Sequence, residues 1–132
     1  MSFSLLIVED NPEEAGLLRI VLNRYFPQWK FGFVRNLNDL TDALLTGSAA
    51  SLILIDMDLP TRHRLTFFSK IRELKSHANL PVAGYSYASS PAMVQAFLDN
   101  GGDHFFEKTY ELDQLLGQFR QLPSVRILKQ AG

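Results

Sequence analysis

The chain has 132 residues, 46% of them hydrophobic and 20% charged, with 13 basic and 14 acidic side chains and a formal net charge of −1. This is the length of one domain, enough to bury about two-thirds of its unfolded surface, and it excludes two full domains or an eightfold α/β barrel of ~250 residues. The composition excludes wholesale disorder. The balanced charge offers nucleic acid no overall basic field. The lack of cysteine removes disulfides, thiol catalysis and Cys-ligated metals.

In chain order, Leu5-Leu6-Ile7-Val8 is a short apolar run that stops at Glu9 and has no basic segment before it. It reads as a buried strand, not as a signal peptide or membrane span, and a cytoplasmic protein is expected. Asn11-Pro12-Glu13-Glu14 supplies an N-cap, a proline at the first helical position and an acid at N3. Ala15, Leu18, Val21, Leu22 and Tyr25 follow at helical spacing. Phe31-Gly32-Phe33-Val34 is a weaker strand. Leu37, Leu40, Leu44 and Leu45 mark a second helix, stopped at Gly47.

Ser51-Leu52-Ile53-Leu54-Ile55 is a second strong strand, followed by a helical stripe of Leu65, Phe68, Ile71 and Leu74. Pro81 to Tyr85 reads as strand. Ser90-Pro91 opens a helix carrying Val94, Phe97 and Leu98, which ends at Gly101-Gly102. His104-Phe105-Phe106 is the fifth strand. Thr109 is expected to cap a last helix with Leu112, Leu115, Leu116 and Phe119. Residues 122–132, with Arg126 and Lys129 and no acid, are expected to form a short, free or loosely docked C-terminal tail.

Strand and helix alternate five times, and the apolar runs are continuous, not alternating. Both features predict an α/β domain with a parallel sheet covered on both faces. In such sheets ligands sit beyond the carboxyl ends of the strands. The residues there are Glu9 and Asp10 after strand one, Asp56 and Asp58 after strand three, Ser86 at strand four and Lys108 after strand five.

Singly, each has an ordinary reading as a turn former, helix cap or solvated side chain. In a sheet ordered 2-1-3-4-5, however, strands one and three flank the switch point, which brings Glu9, Asp10 and Asp56 together. Three clustered carboxylates repel unless a cation sits among them. Mg²⁺ takes oxygen ligands and bridges carboxylates to phosphate, and Lys108 adds a point charge. The implied ligand is a phosphoryl group held between a divalent ion, a lysine and a hydroxyl.

Val8-Glu9-Asp10-Asn11, Leu54-Ile55-Asp56-Met57-Asp58-Leu59-Pro60, Ser86 and Gly101-Gly102-Asp103-His104-Phe105-Phe106-Glu107-Lys108 together resemble the receiver domain of two-component response regulators. The resemblance runs from about residue 4 to about residue 120. It implies a flavodoxin-like (βα)5 doubly wound sheet of order 2-1-3-4-5, with a receiver domain over residues 1–121. It implies that Asp56 accepts a phosphoryl group from a histidine kinase or phosphotransfer protein, and that Asp10 and Asp56 bind Mg²⁺ through their carboxylates. Glu9 would act through a metal-bound water and Asp58 through its main-chain carbonyl. Ser86 and Lys108 would hold the phosphoryl oxygens, and Phe105 would turn inward when Ser86 moves. The fourth and fifth helices with the fifth strand would form the face for a downstream protein or a second copy of the chain. Neither nucleic acid nor membrane is an expected partner.

Four features depart from the family's usual pattern. Glu9 stands for an aspartate. Thr109 follows Lys108 where a cis proline is usual. Thr61-Arg62-His63-Arg64 is bulky and basic where glycines are common, and Tyr87 follows Ser86 where alanine is usual and could restrict access to Asp56. A phosphorylation-independent binding module is the alternative reading. Asp56-Met57-Asp58 also looks like the Asp-x-Asp of haloacid dehalogenase-type phosphatases, but it lies on the third strand instead of the first, and neither a cap domain nor a late acid pair is expected from these residues. A flavodoxin is disfavoured because Glu-Asp-Asn-Pro stands where a phosphate cradle is needed.

Overall fold

The computed structural model describes residues 3–47, 49–58, 64–77, 79–87 and 89–128, and their side chains except those of residues 64–66. Thr61, Arg62 and His63, and the side chains of Arg64 and Leu65, lie outside the described residues. The strands are β1 (Ser4–Val8), β2 (Lys30–Val34), β3 (Leu52–Asp56), β4 (Val82–Ser86) and β5 (His104–Glu107). They alternate with α1 (Pro12–Tyr25), α2 (Leu37–Leu45), α3 (Arg64–His77), α4 (Pro91–Asp99) and α5 (Leu112–Gln121). All strands pair in parallel in the order β2-β1-β3-β4-β5.

The pleat sends successive residues of β3 to opposite faces. Leu52 and Leu54 join a core with Leu18, Leu22, Leu115 and Phe119, so α1 and α5 cover that face. Ile53 and Ile55 join Leu37, Leu40, Ile71 and Phe97, so α2, α3 and α4 cover the other. With both faces buried, every residue of β3 and β4 is buried, which is why these strands carry no polar alternation. At the end of α4, a Cβ on Gly102 would lie 2.0 Å from Phe97. Only glycine lets β5 begin so close to that ring.

Most helix starts follow the sequence. Asn11 accepts from the Glu13 and Glu14 amides, and Ser90 accepts from the Met93 amide. The start of α5 differs. Its N-cap is Glu111, whose carboxylate accepts from the Asp113 and Gln114 amides. Thr109 stands two residues earlier, accepting from the Glu111 amide at 3.0 Å and donating to Gln114 at 3.1 Å. Thr109 therefore braces the approach to the helix while a longer acidic side chain caps it. Tyr25 is also not on the buried stripe of α1; it is exposed beneath the Arg24 guanidinium.

Residues 122–128 run against the body. Leu122 is fully buried, Val125 packs on the α1–α5 core, and the Leu128 amide donates to Asp103 at 2.8 Å. Lys129 lies outside the described residues.

Candidate functional site

Register sets the site. Asp56, the last residue of β3, pairs with Tyr85, and Ser86 pairs with Glu107. The ladder continues past the strand ends. The Glu9 amide donates to Val34, the Met57 amide to Tyr85, and the Lys108 amide to Ser86. Glu9, Asp56, Ser86 and Lys108 are thus fixed by backbone pairing at one edge of the sheet.

The Lys108 ammonium is the hub. It lies 2.8 Å from Asp56 Oδ1, 3.0 Å from Glu14 Oε2 and 3.2 Å from Asp58 Oδ2. Its charge also sits 4.7 Å from the ring centroids of both Tyr85 and Tyr87, a cation–π arrangement. Burial alone would lower its pKa, but pairing with Asp56, Glu14 and Asp58 outweighs that and holds it above the usual lysine range.

Glu9 and Asp56 are each only 3% exposed. The Tyr85 hydroxyl donates to Glu9 Oε1 at 3.0 Å. Burial first, and Asp56 second, push the Glu9 carboxyl up to about 9. Burial disfavours the charged form, and the neighbouring Asp56 carboxylate disfavours it further. Oxygens of Glu9, Glu14 and Asp56 all lie within 4.8 Å of one another. Hard, clustered carboxylate oxygens with one lysine among four acids fit a divalent ion such as Mg²⁺.

The Asp58 carboxylate is engaged on both oxygens. Ser86 Oγ donates to Oδ1 at 2.5 Å, and the Tyr87 amide donates to Oδ2 at 3.0 Å. Burial would raise its pKa, but these two donors and Lys108 lower it overall. The Asp58 amide in turn donates to Asp56 Oδ1 at 2.8 Å. Tyr87 stacks on Tyr110 with centroids 5.1 Å apart. Phe105 is half-buried, edge-on to Phe97 and against Gly84.

Of the residues expected at the site, Glu9, Asp56, Asp58, Ser86 and Lys108 come together. Asp10 is exposed and stands outside the Glu9–Glu14–Asp56 group. The Lys108–Thr109 bond is trans, and Lys108 still reaches Asp56. Sequence reasoning missed Glu14, Tyr85 and Tyr110. Glu14 had a signal: the first turn of a helix that follows β1 lies at the carboxyl edge, and an acid there was read only as a helix-start residue. Tyr85 had one too, since it precedes Ser86 on the α1–α5 face. Tyr110, in a loop, had none.

The family described as the response regulator receiver domain matches residues 5–120. The chain belongs to that family. This receiver is 27% identical over 128 residues to the cyclic di-GMP phosphodiesterase response regulator RpfG of Xanthomonas campestris, covering 96% of this chain and 33% of that protein. It is 24% identical over 127 residues to the transcriptional regulatory protein KdpE of Staphylococcus aureus, covering 95% of this chain and 52% of that one. The receiver therefore spans a third to a half of these relatives. The signal receiver domain of the DNA binding response regulator protein merR from Colwellia psychrerythraea shares its fold with TM-score 0.74 at 27% identity, covering 93% of this chain and 99% of that one. Receiver domains act in two-component signalling with histidine kinases and downstream targets, and they bind Mg²⁺ in an acidic pocket. Among the described residues of this receiver, no helix is long and apolar enough to cross a membrane.

Proposed function

We propose that this receiver accepts a phosphoryl group on Asp56 from a histidine kinase or phosphotransfer protein, in the cytoplasm, and thereby alters the face formed by α4, β5 and α5 for a downstream protein or a second copy of the chain. The observation that carries the reading is the Lys108 ammonium 2.8 Å from the buried Asp56 carboxylate, at the edge of an acid cluster suited to Mg²⁺. An Asp56 oxygen attacks phosphorus, forming the O–P bond. The P–N bond to the donor imidazole breaks, and its electron pair leaves with the imidazole. Such transfer needs positioning and charge neutralisation more than covalent help.

Glu9 and Asp56 would hold Mg²⁺, with Asp10 and the Asp58 main-chain carbonyl as the family resemblance implies, and Glu14 adds a further carboxylate within reach. When bound, Mg²⁺ neutralises charge on the phosphoryl oxygens and the surrounding acids. Lys108 pairs with the phosphoryl oxygens, and Ser86 donates to them. Phe105, opposite Gly84 on the neighbouring strand and so on the same sheet face as Ser86, carries the change to the α4–β5–α5 face. The chain's own covalent chemistry is confined to gaining and losing this group.

A phosphorylation-independent binding module is the second reading. It is favoured by one observation: Ser86, the Tyr87 amide and Lys108 are all engaged with Asp58. Intact mass after incubation with acetyl phosphate and Mg²⁺ decides between the two. A single Mg²⁺-dependent phosphoryl adduct, absent from Asp56→Asn, is the expected result. No adduct, with Mg²⁺ binding intact, would favour the binding module.

A further inference from the structure

Three donors of three kinds converge on the Asp58 carboxylate. They are the Ser86 hydroxyl at 2.5 Å, the Tyr87 backbone amide at 3.0 Å and the Lys108 ammonium at 3.2 Å. A hydroxyl, an amide and a cation aimed at one point make an oxyanion site. The site lies against the acceptor, because Lys108 also touches Asp56 Oδ1 and the Asp58 amide donates to the same oxygen. A phosphoryl group on Asp56 would seek these donors, since the other side chains grouped with Asp56, Glu9 and Glu14, are acids.

From this we infer that Asp58 is an internal surrogate for the phosphoryl group. In the unmodified chain its side chain fills the anion site, holds the Ser86 hydroxyl and the Tyr87 amide, and must be displaced before a phosphoryl group can settle. This rests on the reading of Asp56 as the acceptor and deepens it by naming what competes with the incoming group. The surrounding contacts favour a firm hold. Ser86 is fully buried, both Asp58 oxygens are used, and charge-assisted hydrogen bonds are stronger than neutral ones. The competition is intramolecular, so it acts at any donor concentration.

The test uses beryllofluoride with Mg²⁺, a non-covalent phosphoryl mimic, on the full chain. Asp58→Ala removes the surrogate and leaves the main-chain carbonyl. It should bind beryllofluoride about tenfold more tightly than wild type, because one charge-assisted competitor is gone. Hydrogen exchange gives a second readout. The Tyr87 amide should exchange faster in Asp58→Ala than in wild type, and beryllofluoride should restore its protection. Asp58→Asn, which keeps the size and one acceptor oxygen, should fall between the two and serves if the alanine variant fails to fold. Equal affinities in wild type and both variants, with Tyr87 protection unchanged, would overturn the surrogate role while leaving the receiver reading standing. Failure of every protein to bind beryllofluoride, with no phosphoryl adduct on Asp56, would overturn the receiver reading and the surrogate with it.

Discussion

The sheet carries a buried lysine–carboxylate assembly at each end, and the two are built to opposite plans. At the amino end, Lys75 of α3 meets Asp103, just before β5, at 2.5 Å and also donates to the Leu80 carbonyl. Asp103 is 3% exposed and takes two further donors, the Val82 and Leu128 amides. One cation meets one anion, and each carboxylate oxygen also meets an amide. At the carboxyl end, Lys108 is shared by Glu14, Asp56 and Asp58, with Glu9 beside them. The first assembly is closed and ties α3, β4, β5 and the C-terminal segment together. The second is over-acidic, so it gains from a cation or from losing a charge. Burial alone does not separate structure from function here; the balance of donors and acceptors does.

The same substitution should therefore have opposite signs at the two ends, and this is the largest effect expected. Asp103→Asn leaves Lys75 without its anion and turns an NH2 donor towards groups that are themselves donors. It should destabilise the fold by about 3 kcal/mol, the range for breaking a buried pair. Asp56→Asn removes a buried negative charge that helps to hold a proton on Glu9, and it leaves Lys108 two other acids. In metal-free buffer it should stabilise by about 1 kcal/mol, and it should shrink the gain that wild type shows with Mg²⁺. Urea melts with and without Mg²⁺ on the three proteins read both signs. If both variants are destabilised alike in metal-free buffer, or if Mg²⁺ stabilises Asp56→Asn as much as wild type, the contrast fails.

This contrast also marks where the sequence was legible. The strands, the sheet order and the acid positions followed from apolar runs and family spacing, because backbone pairing fixes strand-end residues wherever the strands themselves are recognised. Glu9, Asp56, Ser86 and Lys108 were accessible for that reason. Glu14 was hidden because a helix-start acid has a sufficient local role, and only the return of α1 across the sheet edge brings it to Lys108. The side chain of Asp58 was hidden for a different reason. Its position was read for its main-chain carbonyl, and nothing in a one-dimensional pattern shows three donors converging on its carboxylate. Asp103 carries no signal of its role in the sequence pattern, since the partners that explain it, Lys75 and Leu128, are remote in sequence.

A pH series sharpens the comparison next. The folded Glu9 carboxyl is pushed up to about 9 against an ordinary value of 4.5, so the native state holds a proton that the unfolded chain has released. Its contribution is complete below the unfolded value and is lost as pH rises through the folded one. Metal-free stability should fall on the order of 2 kcal/mol between about pH 5 and about pH 8. Glu9→Gln should flatten that fall. Asp103→Ala should not flatten it, because it leaves Glu9 and the carboxylates around it untouched. A wild-type profile that rises over this range in metal-free buffer would contradict the over-acidic description of the carboxyl end.

The smallest effect tests whether the amino-end assembly is closed through the C-terminal segment. The Leu128 side chain is 63% exposed, so what this residue brings to the assembly is its amide hydrogen, 2.8 Å from Asp103 Oδ1. Leu128→Pro deletes that hydrogen while keeping the chain length. It should lower stability by about 1.5 kcal/mol, the low end for a hydrogen bond to a charged group after solvent exchange. In an Asp103→Ala background the same replacement should have almost no effect, because the acceptor has gone; the difference between the two is the coupling between the segment and β5. If Leu128→Pro is equally harmful in both backgrounds, the loss comes from backbone strain in the segment itself. Asp103 would then be satisfied by Lys75 and Val82 alone, and the closed assembly would end at the sheet.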